Sequence, residues 1–230
     1  MQTVFYLSAQ RGVFVRATAT PARATAFFNA EKLCKLHIAC KYCIMKKTKE
    51  VVPMSKLIPG NKMPDFTFDT IHTTGRKLHE NLAENKTALV FLRYYGCTLC
   101  QYEILQLAEQ YAAIAAKGSK AYVVLQSNPT RLAEQITPDA LPFEIICDPE
   151  MKLYKEFEIL PFEGDAKITE KEIAKFTALK SSGLQHGEYE GEEKQLPALF
   201  ILDNAGTVLT AHYAESLADM PAMSELAEML

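Results

Sequence analysis

The stretch of residues 88–100, with the sequence ALVFLRYYGCTLC, decides the fold because it joins a strand, a turn and the start of a helix. Its first five residues form a short apolar run rich in strand formers, which predicts a buried strand. The residues that follow the cysteines predict a helix ending at Gly118, because apolar side chains recur there at helical spacing: Ile104, Leu107, Ala108, Tyr111, Ile114 and Ala115. Cys97 and Cys100 therefore fall in the first turn of a helix that follows a buried strand.

Cys97 and Cys100 are the predicted catalytic residues. Unpaired backbone N–H groups and the helix dipole stabilise an anion at a helix N-terminus. A cysteine in that position loses its proton more easily, and the thiolate is its reactive form. The spacing also lets the two sulfurs close a disulfide, so the pair can attack an oxidised target and then release it. Half of a zinc site is the alternative for a CxxC pair, but the strand–helix context favours redox chemistry.

The net charge of −3 conceals two unlike parts of the 230-residue chain. Residues 1–53 hold nine Lys or Arg against two Asp or Glu, a net charge of +7, whereas residues 54–230 hold sixteen against twenty-six, a net charge of −10. The acidic part argues against nucleic-acid binding. No apolar run approaches the ~18 residues of a membrane-spanning helix, so no membrane association is predicted. A hydrophobic content of 48% is enough for a packed core.

Residues 1–53 are predicted to be a basic, disordered extension, and three interpretations of it compete. A secretory signal is disfavoured because no clean apolar region with a small-residue cleavage site is present, and a transit peptide fits the Arg/Ala/Thr bias only in part. The third and favoured interpretation is a mis-assigned start, with translation beginning at Met54. Residues 49–51 can be encoded by a string that resembles a bacterial ribosome-binding site, about eight nucleotides before the Met54 codon.

No metal or other cofactor is predicted. Cys34, Cys40 and Cys43, with His37 nearby, match no standard zinc spacing, and a join to the CxxC pair would need a linker of more than about fifty residues. Cys147, at the end of a predicted strand, is expected to be a buried small hydrophobe rather than a resolving thiol.

From Met54 onward, short apolar runs alternate with helical patterns. Strands are predicted at 66–68, 88–92, 121–125, 143–147, 198–202 and 208–213, with helices after residues 97, 128, 151 and 221. This order predicts a three-layer α/β/α domain around a central mixed sheet. An insertion, residues 160–196, carries a predicted helix at 171–179, His186 and an acidic run at 188–193. Two interpretations of this insertion stay open: a lid or dimer contact over the active site, and a solvated surface excursion.

Three motifs in this order resemble the AhpC/TSA (peroxiredoxin-like) family of the thioredoxin-fold superfamily. They begin at Pro59-Gly60, at Leu141-Pro142-Phe143 and at Leu199-Phe200-Ile201, and the resemblance spans roughly residues 57–229. It implies a thioredoxin-like fold and a thiol-dependent antioxidant oxidoreductase that reduces peroxides or disulfides through a Cys97–Cys100 redox disulfide. It also implies a thioredoxin-like or low-molecular-weight thiol as reductant and a cytoplasmic location, and it leaves a homodimer open. A non-catalytic binding or redox-sensing module is the alternative.

Departures from the family pattern leave open which cysteine attacks first. Cys100 falls at the family's peroxide-reacting position, and Cys97 occupies the position of its threonine. As a dithiol exchanger, however, Cys97 is favoured, because it lies nearer the helix end and is expected to be more exposed. Pro197 follows the thioredoxin pattern, in which a cis-proline lies against the disulfide, so a cis Leu196–Pro197 bond is predicted.

Two further supporting residues lie beside the pair in sequence. Arg93 is the only cation near it and either favours a thiolate or is a solvated strand-end arginine. Thr98 lies between the two cysteines.

Overall fold

The computed structural model describes residues 56–137, 139–164 and 169–230. The basic extension, with Cys34, Cys40 and Cys43, and the predicted start at Met54 lie outside these ranges. In the described part of the chain, no helix is long and apolar enough to cross a bilayer.

Seven strands form one mixed sheet, which confirms the predicted fold class. In spatial order they are β2 (Arg76–Lys77), β1 (Thr67–Thr70), β5 (Glu144–Cys147), β4 (Lys120–Leu125), β3 (Lys86–Phe91), β6 (Ala198–Asp203) and β7 (Val208–Tyr213). The β3–β4 and β4–β5 pairs are parallel, and the other neighbours are antiparallel. Each apolar run that predicts a buried strand belongs to this sheet, and β6 and β7 form the predicted hairpin.

In the described ranges, five α-helices accompany the sheet: α1 (Thr98–Ala116), α2 (Pro129–Gln135), α3 (Lys152–Glu156), α4 (Glu170–Ser181) and α5 (Met223–Met229). A 3-10 helix spans His79–Asn81. The predicted end of α1 is confirmed, because Gly118 has a φ of 67°, the left-handed conformation that glycine adopts at little cost after a helix.

Alternate residues of β3 enter two cores, one on each face of the sheet. Ala88 and Val90 join a core that α1, α2 and α5 cover, whereas Leu89 and Phe91 join a core that includes Tyr154 of α3. Strands covered on both faces are apolar throughout, which explains why the run 88–92 shows no alternation of polar and apolar residues. The two cores give the three layers that the sequence predicts.

The predicted helix of the insertion is α4, which begins at Glu170. Thr169 caps it: its side chain accepts from the backbone N–H of Glu172, and the Glu172 carboxylate accepts from the backbone N–H of Thr169. After α4 the chain returns across the end of α1 that carries the cysteines. We call this return, residues 184–195, the covering segment.

Candidate active site

The two cysteines lie side by side at the N-terminus of α1. Cys97 is the N-cap residue, and its Sγ accepts a hydrogen bond from the backbone N–H of Cys100 at 3.3 Å. Both are free thiols, with exposed fractions of 1% for Cys97 and 3% for Cys100. The expectation that Cys97 is the more exposed of the two is therefore wrong, and the cause is the covering segment described below.

Arg93 lies against the pair rather than in solvent. Its Nη2 donates to Cys97 Sγ at 2.9 Å, and its backbone N–H donates to Cys100 Sγ at 3.3 Å. Only 15% of the Arg93 side chain is exposed. A partly buried guanidinium at this distance favours a negative charge on Cys97, because water screens the attraction less than at the surface.

The two sulfurs have different surroundings, which give the two thiols different pKa values. A hydrogen bond from the Cys100 thiol, together with the Arg93 charge, lowers the pKa of Cys97 to about 6 in spite of its burial. Burial raises the pKa of Cys100, and the neighbouring Cys97 sulfur raises it further. Near neutral pH the pair therefore consists of a thiolate at Cys97 and a thiol at Cys100.

Pro197 lines a small cavity together with Cys100, so it lies near the pair as predicted. The predicted cis bond is wrong: the Leu196–Pro197 bond is trans, and no cis peptide bond occurs among the described residues. Pro197 directly precedes β6, and its carbonyl accepts from the backbone N–H of Ala214 at 3.1 Å. A trans proline fits this place without strain, because the first position of a strand does not require its missing N–H.

The covering segment lies over the turn that precedes Cys97. The backbone N–H of Gly187 donates to the carbonyl of Gly96 at 2.8 Å, and Gln101 donates to the carbonyl of Gln185 at 3.2 Å. A Cβ at Gly96 would overlap the carbonyl oxygen of Glu188 and lie 3.0 Å from its nitrogen. The approach is possible only because residue 96 is a glycine, and it removes the cysteines from solvent.

Side chains tie the covering segment to Arg93. The Tyr94 hydroxyl donates to the Glu193 carboxylate, and its oxygen lies 3.1 Å from His186 Nε2. Arg93 donates through Nη1 to the Glu193 carbonyl and lies 3.7 Å from the Glu193 carboxylate. One guanidinium therefore contacts both the Cys97 sulfur and the covering segment. Sequence reasoning missed Tyr94 and Glu193, because about a hundred residues separate the partners and no local pattern joins them.

The other predicted residues lie apart from this network or contribute little to it. Thr98 is the first residue of α1 and is half-buried. Cys147 ends β5 in an apolar core, where burial raises its pKa to about 12, so it is a poor thiolate. Among the residues that the structure describes, no group of three or more His, Cys, Asp and Glu side chains could hold a metal ion.

Comparisons with known proteins agree with this fold. The sequence model of the AhpC/TSA family matches residues 59–211. A search of curated protein sequences gave no match. Among solved structures, a peroxidoxin BcpB from Mycobacterium tuberculosis has a TM-score of 0.53 at 14% identity, covering 74% of this chain and 94% of that chain. The AhpC of Enterococcus faecalis has a TM-score of 0.52 at 19% identity, covering 76% and 90%. A reduced 2-Cys peroxiredoxin from Plasmodium vivax has a TM-score of 0.53 at 16% identity, covering 75% and 80%.

Proposed function

This chain belongs to the AhpC/TSA family, and from that premise we propose that it is a thiol peroxidase in which Cys97 attacks a small hydroperoxide and Cys100 closes the disulfide. A low-molecular-weight thiol, or a thioredoxin-like protein once the covering segment opens, then reduces the disulfide. The observation that carries the proposal is the Arg93 guanidinium, 2.9 Å from a buried Cys97 sulfur whose pKa is lowered to about 6.

The reaction divides into two balanced steps. The Cys97 thiolate attacks the terminal peroxide oxygen, the O–O bond breaks, and the sulfur becomes a sulfenic acid while the other oxygen leaves as an alcohol or water after protonation. Cys100 then attacks the Cys97 sulfur: the S–S bond forms, the S–O bond breaks, and one water leaves. The family's usual assignment would give the first step to Cys100, but its raised pKa and its depth in α1 support the second step instead.

The limited access to the two buried cysteines supports a small oxidant, rather than a protein disulfide, as the substrate. The residues of the pair are at most 3% exposed, and the covering segment is hydrogen-bonded to the turn before them. A hydroperoxide is of a size to reach a sulfur through small fluctuations, whereas disulfide exchange needs three sulfurs in line and therefore an open segment.

The test is turnover of the reduced chain in two assays run side by side. We expect catalytic consumption of hydrogen peroxide with a recycling thiol, and a much slower reduction of a protein disulfide such as insulin. Faster disulfide reduction than peroxide reduction would reassign the chain as a thiol–disulfide oxidoreductase. Absence of both activities would favour the non-catalytic binding or redox-sensing module.

The pH dependence of the first step follows from the lowered pKa of Cys97. We expect the single-turnover rate of peroxide reduction to be nearly constant above about pH 7 and to fall as the pH drops through about 6, where Cys97 takes up its proton. Arg93→Gln should move this midpoint upward by at least about one unit, because the charge that stabilises the thiolate is gone. Arg76→Gln is the matched control, since Arg76 is also partly buried in an ion pair, with Glu144, but lies on the edge strand β2 rather than beside the cysteine pair. An unchanged midpoint in Arg93→Gln would show that Arg93 does not stabilise the Cys97 thiolate.

Opening of the covering segment can be tested at Gly96. Gly96→Ala should displace the segment, because its Cβ would overlap the Glu188 carbonyl. We expect a bulky thiol reagent to modify Cys97 at least about tenfold faster, because local opening then requires less free energy. Gly187→Ala is the graded comparison: its Cβ would lie 3.1 Å from the Gly96 Cα, so a smaller increase is expected. Equal rates in the wild type and Gly96→Ala would show that the segment does not limit access.

A further inference from the structure

A cavity of about 10 Å³ lies beside Cys100, on the inner side of α1. Its polar lining comes from Arg93, Cys100, Glu103 and Gln195, and apolar atoms come from residues such as Pro197 and Met220. This volume corresponds to one water molecule, and a buried water is expected only where two or more polar groups can bind it. The lining meets that condition.

Gln195 supplies an acceptor that lacks a donor. The residue is fully buried, and its Nε2 donates to the carbonyls of Ile159 at 2.8 Å and Leu196 at 3.1 Å. These two bonds fix the orientation of the amide. Its Oε1 is buried and accepts no hydrogen bond from any residue that the structure describes. A buried orphan acceptor is costly, and a bound water would satisfy it.

Glu103 supplies a buried carboxylate one helical turn after Cys100. Its side chain is 5% exposed and lies 2.7 Å from the ammonium of Lys175, which is 10% exposed. Lys175 also donates to the carbonyls of Ala218 at 3.0 Å and Met220 at 3.1 Å. The three N–H groups of the ammonium are thus engaged, and α4 of the insertion holds a fixed positive charge against this carboxylate.

Cys100 has to lose a proton for the disulfide to close. In the reduced pair its S–H donates to the Cys97 thiolate, and burial raises its pKa. Once Cys97 is oxidised, its sulfur no longer carries the charge that accepted this hydrogen bond. Another acceptor is then required, and Glu103 is the carboxylate among the residues that line the cavity.

We propose that one water in this cavity bridges Cys100, Glu103 and Gln195, and that Glu103 takes up the Cys100 proton through it during disulfide closure. The inference rests on the proposed function, since it concerns the second step of that reaction. The Cys100 S–H bond breaks and its proton passes through the water to the Glu103 carboxylate. The Cys100 sulfur attacks Cys97, the S–O bond of the sulfenic acid breaks, and the leaving hydroxide takes the proton back from Glu103 to form water. Glu103 returns to its starting state, and the net products are one disulfide and one water.

The test separates the two steps by rapid quenching after one equivalent of hydrogen peroxide. Dimedone labelling reports sulfenic acid at Cys97, and alkylation with peptide mapping reports the disulfide. In Glu103→Gln we expect sulfenic acid to form at a rate within about twofold of wild type, while closure at pH 7 slows on the order of 100-fold, the scale of a lost general base. Closure in the variant should recover as the pH rises toward 9, because hydroxide replaces the carboxylate. Two cations face this site: Arg93 lines the cavity, and Lys175 pairs with the Glu103 carboxylate.

Two further variants separate proton transfer from structure. Glu103→Gln/Lys175→Met removes both buried charges, so the variant folds without an unpaired ion. Its disulfide should still close slowly, because the carboxylate is gone. Glu172→Gln weakens another contact that holds α4, a hydrogen bond from Ser216, and Glu172 does not line the cavity. Disulfide closure in this variant should occur at the wild-type rate. Wild-type closure in the double variant, or equally slow closure in Glu172→Gln, would overturn the inference. A wild-type chain that forms neither sulfenic acid nor disulfide would instead sink the proposed function, and this inference with it.

Discussion

Cys97→Ser is expected to abolish peroxide reduction, lowering the rate by at least about 10³-fold, the scale seen when an enzyme loses its nucleophile. A serine hydroxyl stays protonated where the Cys97 thiol, with its pKa of about 6, is ionised. It therefore presents no anion to the peroxide. Single-turnover peroxide consumption, followed by stopped flow, measures the loss.

Cys100→Ser is the informative partner of this variant. It should retain the first step and accumulate a sulfenic acid at Cys97, because no thiol lies beside it to close the disulfide. Cys147→Ser is the control and should keep both steps, since Cys147 lies in an apolar core where its pKa is raised to about 12. If Cys97→Ser instead keeps the first step and Cys100→Ser loses it, the attacking residue is Cys100, as the family alignment suggests.

Lys175→Met is expected to give the largest loss of stability among single substitutions in the insertion. It leaves the Glu103 carboxylate buried without its ammonium, and breaking such a pair costs about 3–5 kcal/mol of the free energy of unfolding. For a domain of this size the midpoint of thermal unfolding should fall by roughly 10 °C. Differential scanning calorimetry measures it.

Lys180→Met supplies the matched control on the same helix. Lys180 is exposed, so its replacement should change the free energy of unfolding by no more than about 0.5 kcal/mol. Glu103→Gln/Lys175→Met should recover much of the loss, because it removes both buried charges together. A Lys175→Met protein as stable as Lys180→Met would mean that the 2.7 Å pair does not hold α4 in place.

The sequence predicted the fold well because the fold depends on local patterns. The run 88–92 and the helical spacing after Cys100 each specify an element by periodicity alone, and Gly118 marks the end of α1 through its backbone conformation. The position of the cysteine pair follows from these elements. The family motifs lie within the same regular part of the chain.

What the sequence could not predict depends on contacts between distant residues. The covering segment is polar and acidic, and its sequence leaves a lid over the active site and a solvated excursion both open. Only the structure shows that Gly187 reaches Gly96 and that both cysteines are buried. Glu103 is one of two glutamates on α1, and only the packing of α4 shows that Lys175 accompanies it into the interior. The Leu196–Pro197 bond shows that a local motif can also mislead. The motif predicted a cis bond, but the bond is trans where Pro197 leads into β6.

The central claim, that Cys97 and Cys100 form the redox centre with Cys97 attacking, is tested most directly by one-equivalent oxidation of the reduced chain. Mass spectrometry of the alkylated digest then locates the lost thiols among the six cysteines. We expect a Cys97–Cys100 disulfide, a free thiol at Cys147, and, with dimedone present, a label on Cys97 before closure. Intact thiols at both positions, a disulfide that involves Cys147, or a label on Cys100 instead of Cys97 would contradict it.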